Sequence, residues 1–167
     1  MPGHPGFGYH GWMHPNEELL HRFYTAFQRR DGKAMAECYH PEARFSDPAF
    51  PGLTGDEPGA MWQMLCERGK DLELEFRDIE ADDESGRAHW EAHYTFSGTG
   101  RKVHNRIDAT FRFQDGKIIE HRDDFDFWAW TRMALGPLGL LMGWTPMVKS
   151  KVQRTARDSL DKFMSES

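Results

Sequence analysis

Between Val103 and Asp126 the sequence reads as two long alternating runs joined by Asp115-Gly116, and few folds can hold such a pair. Val103, Asn105, Ile107, Ala109, Phe111 and Phe113 fall at every second position, with mostly charged residues between them. Alternation of this length predicts a strand with one buried face. Asp-Gly predicts a tight hairpin turn, so the next strand returns antiparallel. On that strand Ile119, His121, Asp123 and Phe125 share one side, and Ile118, Glu120, Arg122, Asp124 and Asp126 share the other. The second set is mostly charged and is expected to face solvent. His121 and Asp123 then stand on the wall of an apolar interior, about 7 Å apart between Cα atoms. An imidazole and a carboxylate so placed are the outline of a general acid/base pair.

The preceding sequence supplies the rest of a sheet and the helices to fill it. Leu72, Leu74 and Phe76 alternate with charges, and Trp90, Ala92, Tyr94 and Phe96 share a face on a following strand. A first helix is expected from an Asn16 cap, with Leu20, Phe23, Tyr24 and Phe27 on one side. A second spans about residues 33–39, a strand about 43–47, and a third helix about 58–68, burying Met61, Trp62 and Leu65. Helix, helix, strand, helix, then four antiparallel strands predicts an α+β fold: a curved antiparallel sheet wrapped round the N-terminal helices into a cone with an internal pocket, followed by a C-terminal helical extension. The expected divisions are a flexible arm over residues 1–15, the cone domain over 16–135 and the extension over 136–167.

Composition narrows the function classes. A net charge of −6 with scattered basic residues argues against nucleic acid as a partner, because phosphate binding needs a basic face. The longest apolar run, Leu138 to Trp144, is too short to span a bilayer and carries two glycines, so no membrane span is expected. No export signal is legible, and the cytoplasm is the default expectation. Cys38 and Cys66 read as buried, reduced thiols. The last helix, about residues 145–164, is basic and amphipathic. Such a helix can lie on a membrane, but docking on its own domain or on a second subunit is the commoner outcome.

Arg44-Phe45-Ser46-Asp47-Pro48 and Phe111-Arg112-Phe113-Gln114-Asp115-Gly116-Lys117-Ile118, in this order of elements, resemble the nuclear-transport-factor-2-like superfamily and its SnoaL-like domain. Ketosteroid isomerases, limonene-epoxide hydrolases and polyketide cyclases are relatives, and the resemblance covers about residues 16–135. It implies the cone fold but no one reaction, because the scaffold hosts many. Against ketosteroid isomerase, Asp47 falls on the general base, Phe23 on the oxyanion tyrosine and Ala109 on the second oxyanion group; neither Phe23 nor Ala109 can donate a hydrogen bond. Against limonene-epoxide hydrolase, Arg122-Asp123-Asp124-Phe125-Asp126 places Asp123 on a catalytic carboxylate, while Trp90 and Ala92 occupy the positions of its Arg and second Asp. The SnoaL-like cyclases are similar in overall pattern and imply late-strand carboxylate chemistry on a bulky ring.

The candidate catalytic residues are therefore Asp123, His121 and Asp47. Asp123 reads as a proton shuttle among apolar neighbours or as a satisfied structural acid, and Asp47 as a pocket base or as the acceptor that fixes the turn before Pro48. Asn105, Tyr94, Trp90, Phe23, Trp62 and Phe111 are the expected ligand contacts, and Tyr24 and Tyr39 could aim hydroxyls inward. His89 and His93 lie roughly 13 Å apart along a strand, too far to converge on one ion, so no metal site is expected. A phosphate-cradling loop and a serine-nucleophile elbow are missing, and no cofactor is expected. The reading is a small hydrophobic molecule in the pocket of a homodimer formed through the outer sheet face, worked on by cofactor-independent cyclase, isomerase or hydrolase chemistry. The alternative is a non-catalytic ligand-binding or scaffold protein of the same fold.

Overall fold

The computed structural model describes residues 13–167. The expected arm lies almost wholly outside the described residues. The elements in chain order are α1 (Pro15–Gln28), α2 (Gly32–Glu37), β1 (Tyr39–Ser46), β2 (Leu53–Thr54), α3 (Glu57–Arg68), β3 (Glu73–Ala81), β4 (Ser85–Phe96), β5 (Arg101–Gln114), β6 (Lys117–Asp124), α4 (Phe127–Leu135), α5 (Pro137–Met142) and α6 (Pro146–Ser165). The strands form one sheet in the order β2-β1-β6-β5-β4-β3. β3 to β6 are the expected antiparallel meander, whereas β1 pairs with β6 in parallel. The core lies between the inner face of the curved sheet and α1 to α3, with Leu19, Leu20, Phe23, Phe27, Met61 and Trp62 against Phe45, Trp90, Ile107 and Phe111.

The hairpin that positions the candidate site is as the sequence predicts. Gln114 pairs with Lys117, leaving Asp115 and Gly116 as a two-residue loop with φ of 54° and 71°. Both values lie in the left-handed region that this turn requires and Gly tolerates without cost. The facing of Ile118 and Ile119 differs from expectation. Arg112 pairs with Glu120 and Phe113 with Ile118, so one extra residue bulges out of β6. Ile118 is completely buried as a result and Ile119 only half-buried, while His121 and Asp123 keep their inward phase.

Two helix ends also differ. His14, not Asn16, caps α1: its Nδ1 accepts from Asn16 N at 3.0 Å, and Pro15 takes the first helical position, where a missing N–H costs nothing. Asn16 is instead buried, its amide donating to Asp82 O at 2.9 Å. The C-terminal extension holds two helices, since Pro137 starts α5 after the Gly136 break. α6 docks on its own domain through its C-terminal half, where Leu160 is fully buried with Ala156, Phe163 and Met164 packed nearby. Arg157 pairs with Glu57 at the start of α3, and Gln153 Nε2 donates to Pro48 O at 3.0 Å. Among the described residues no helix is long and apolar enough to cross a membrane.

Candidate functional site

β6 carries His121 and Asp123 into the interior, and β1, α1, α3 and β4 bring polar groups to meet them. The His121 side chain is fully buried and Asp123 is 1% exposed. His121 Nε2 lies 2.9 Å from Asp123 Oδ1, and His121 Nδ1 lies 2.7 Å from Tyr39 Oη. Trp62 Nε1 donates to the same Tyr39 oxygen at 2.7 Å. An indole N–H can only donate, so the Tyr39 oxygen is an acceptor toward Trp62. Tyr39 accepts from Trp62, and the acceptor left for its own hydrogen among the described residues is His121 Nδ1, which puts the ring hydrogen that faces Asp123 on Nε2. Burial pushes the Tyr39 hydroxyl well above its ordinary value, so it stays a donor.

Aromatic rings house the imidazole. Phe111 lies 4.2 Å from it between ring centroids, Phe45 4.9 Å, Phe23 5.7 Å and Trp62 6.2 Å. Phe23, Trp62 and Phe111, expected as ligand contacts, thus pack directly on His121. The carboxylate is held on one side only. Asp123 Oδ1 accepts from His121 and, more loosely, from Trp90 Nε1 at 3.4 Å, whereas Oδ2 is buried without a hydrogen-bond partner among the described residues. Tyr24 Oη is the other such atom. Burial first, then the nearby charge of Asp123, pushes the Tyr24 hydroxyl well above its usual range, so it too keeps its proton. Two buried unpaired polar atoms in one interior cost about 1–3 kcal/mol apiece unless something polar meets them.

Asp47 lies in the turn that follows β1. Its Oδ1 accepts from Ala49 N at 2.7 Å and Phe50 N at 2.6 Å, which fixes the turn after β1. Burial nevertheless raises it to about 7, against the pull of the Phe50 N–H and with the charge of Asp123 adding to the rise. Tyr94, whose oxygen accepts from Trp130 Nε1 at 2.8 Å, feels the Asp47 charge in turn. Asn105 is buried on the same inner face of β5, 8% exposed, opposite Ala92 of β4. The sequence offers Tyr24 as one of several tyrosines that could aim a hydroxyl inward, without setting it among the site residues; its place beside Phe23 is the signal that singles it out.

Two other polar features lie nearby. An open trough of about 930 Å³ is lined by Arg44, Arg87, Arg112 and Arg122 and also reaches Phe45, Phe111 and His121. On the outer face of the sheet Glu91 accepts from His104, His89 and Arg77, which hold its carboxyl down at about 2. Among the described residues no group of His, Cys, Asp and Glu is arranged to hold a metal ion. Cys38 and Cys66 are buried free thiols.

A curved sheet closed by three helices, with titratable groups on its inner face, is nuclear-transport-factor-2-like architecture. Residues 20–121 match the SnoaL-like domain family, and the chain belongs to it. Similar solved structures share the fold at low identity. A candidate SnoaL-like polyketide cyclase from Jannaschia sp. CCS1 is 19% identical, with a TM-score of 0.63, over 74% of this chain and 93% of that one. An epoxide hydrolase of Mycobacterium tuberculosis, similar to limonene-epoxide hydrolase, is 18% identical, with a TM-score of 0.59, over 76% and 95%. TerC, co-crystallised with polyporic acid, is 19% identical, with a TM-score of 0.60, over 71% and 97%. A comparison with curated proteins finds no match.

Proposed function

We propose that the chain is a cofactor-independent proton-transfer enzyme acting on a small hydrophobic ring molecule that carries a carbonyl. The observation that carries the reading is the pair of buried, unpartnered oxygens, Asp123 Oδ2 and Tyr24 Oη. One is a base and the other an O–H donor, the two groups that enolisation needs. Asp123 Oδ2 takes the proton from the carbon beside the carbonyl, and the electron pair moves onto the carbonyl oxygen, which accepts from Tyr24. Where a carbon–carbon double bond is conjugated with the enolate, return of the proton to its far carbon completes an isomerisation; attack of the enolate on a second carbonyl, whose oxygen takes the proton back from Asp123, completes a cyclisation.

His121 is a positioning residue in this scheme. Its N–H occupies Oδ1 and leaves Oδ2 as the reacting atom, while Tyr39 and Trp62 hold the ring in that tautomer. Tyr24 supplies the donor that the neighbouring Phe23 cannot. Trp90, Tyr94 and Asn105 are the proposed ligand contacts, and Asp47 is a second acid at the rim whose proton affinity suits exchange near neutral pH. The co-crystallisation of TerC, a protein of the same fold, with polyporic acid supports a small organic ligand.

The test is exchange in heavy water. Incubated with a panel of polycyclic ketones, the wild-type protein should load deuterium beside the carbonyl, read by mass spectrometry. Asp123→Asn should abolish exchange, and Tyr24→Phe should slow it by roughly a hundredfold or more, the usual effect of losing one oxyanion donor. Binding of the same ketones without exchange, unchanged in Asp123→Asn, would instead identify a non-catalytic binding protein.

A further inference from the structure

The region from Phe127 to Arg157 separates itself from the rest of the chain by charge. Arg132, Lys149, Lys151, Arg154 and Arg157 are its charged residues, and no Asp or Glu lies between Asp126 and Asp158, in a protein whose net charge is −6. The same region carries the most exposed large apolar side chains. Leu141 is 70% exposed, Trp144 69% and Met147 72%, with Leu138 and Leu140 each more than half exposed. Apolar groups concentrated in one place on a surface mark an interaction site.

The helix packing makes this display part of the fold. α5 lies directly on α4 because Gly139 and Gly143 face Thr131; a Cβ on Gly139 would stand 1.9 Å from Thr131 O. With its glycine edge inward, α5 turns its leucines outward. The cations sit among the aromatics. Arg132 lies over the Trp128 ring at 4.5 Å and Lys149 over Phe127 at 5.7 Å. In α6, Met147, Lys151 and Arg154 follow helical spacing along one exposed side, while Leu160 anchors the far end in the core.

We infer that the α4–α5 hairpin and the first turns of α6 dock on the surface of an anionic lipid bilayer, with Leu138, Leu141, Trp144 and Met147 entering the interface and Arg132, Lys149, Lys151 and Arg154 meeting lipid phosphates. Leucine, tryptophan and methionine flanked by unopposed cations are what the headgroup–acyl boundary takes up. Charge complementarity selects this occupant. A second copy of the chain would bring the same positive charges against each other, whereas an anionic membrane gains roughly fivefold in affinity for each cation held near its surface. The docking does not depend on the chemistry at Asp123.

Flotation with vesicles tests it. The full chain should float with vesicles of phosphatidylcholine containing about a third phosphatidylserine at low salt, stay behind with phosphatidylcholine alone, and come off as salt screens the charges above about 0.1 M. The triple variant Lys149→Gln, Lys151→Gln, Arg154→Gln should lose roughly a hundredfold in vesicle affinity. Leu141→Asp, at an exposed position, should abolish flotation, and Trp144 emission should shift to the blue on vesicles only in proteins that float. Failure of the wild-type chain to float on phosphatidylserine vesicles overturns the proposal. So does a wild-type dimer that Leu141→Asp splits, which would assign the surface to a second copy.

Discussion

Tyr39 and His121, on neighbouring parallel strands, meet at 2.7 Å between Oη and Nδ1, and that contact decides which nitrogen of the buried imidazole carries its hydrogen. Trp62 supplies the direction, since its N–H is donated to Tyr39 and, among the described residues, His121 is the partner left for the hydroxyl hydrogen. The consequence travels through the ring to Asp123, where one oxygen is engaged and the other left open.

Tyr39→Phe should therefore damage both ends of the chain. The Trp62 N–H and His121 Nδ1 each lose a partner in the interior, at about 1–3 kcal/mol for each buried group left unpaired. Urea denaturation should register a loss of roughly 2–6 kcal/mol, and nitrogen NMR of the ring should show the Nε2–H tautomer give way. An unchanged tautomer would mean that Asp123 alone fixes the ring.

The Asp47 carboxyl makes stability fall as pH rises. Its proton is held to about 7 in the folded chain against 3.8 ordinarily, so the folded state binds more protons between those values and loses stability across them as pH increases. The cost above pH 7 is at most roughly 4 kcal/mol at 1.36 kcal/mol per pH unit, and less because water reaches the half-buried group. Asp47→Asn keeps an oxygen for the Ala49 and Phe50 N–H groups but no charge. Thermal melts at pH 5 and pH 8 should differ less in this variant than in wild type, with the variant the more stable at pH 8.

Glu91 works in the opposite sense. Bonds from His104, His89 and Arg77 lower its carboxyl from 4.5 to about 2, so its contribution is present above pH 4.5 and lost as pH falls through 2. Glu91→Gln should weaken the fold at pH 6 and remove part of its acid sensitivity, measured by denaturant titrations at pH 6, 4 and 2.5.

Leu160 fastens the C-terminal extension. It is fully buried in the core, and Leu160→Ala should cost about 2–5 kcal/mol, the range for emptying such a site. Hydrogen exchange should show α6 opening before the sheet. Loss of protection at the Pro48 turn should accompany it, since Gln153 of α6 holds that turn.

Much of the fold was legible because period-two alternation and turn chemistry are local. Asp115-Gly116 announced its own turn, and Val103 to Phe113 their own buried face. The bulge in β6 was not, since it arises from how Arg112 and Phe113 pair across the hairpin, a choice Ile118 and Ile119 do not record by themselves. The parallel contact of β1 with β6 joins segments far apart in sequence and leaves no periodic trace. For the same reason His121 and Asp123 could be placed inside, but Tyr39, Trp62 and Tyr24 could not be brought to them. Spacing tells which way a strand residue points, and only packing tells what it meets.

The most direct measurement is carbon NMR of protein labelled at aspartate Cγ and tyrosine Cζ, titrated with a ring ketone that binds. The account predicts that Asp123 Cγ and Tyr24 Cζ shift together on binding, while Tyr39 Cζ, already engaged by His121 and Trp62, does not. A ligand that leaves both resonances unmoved and perturbs instead the outer-face arginines Arg44 and Arg122 would contradict it.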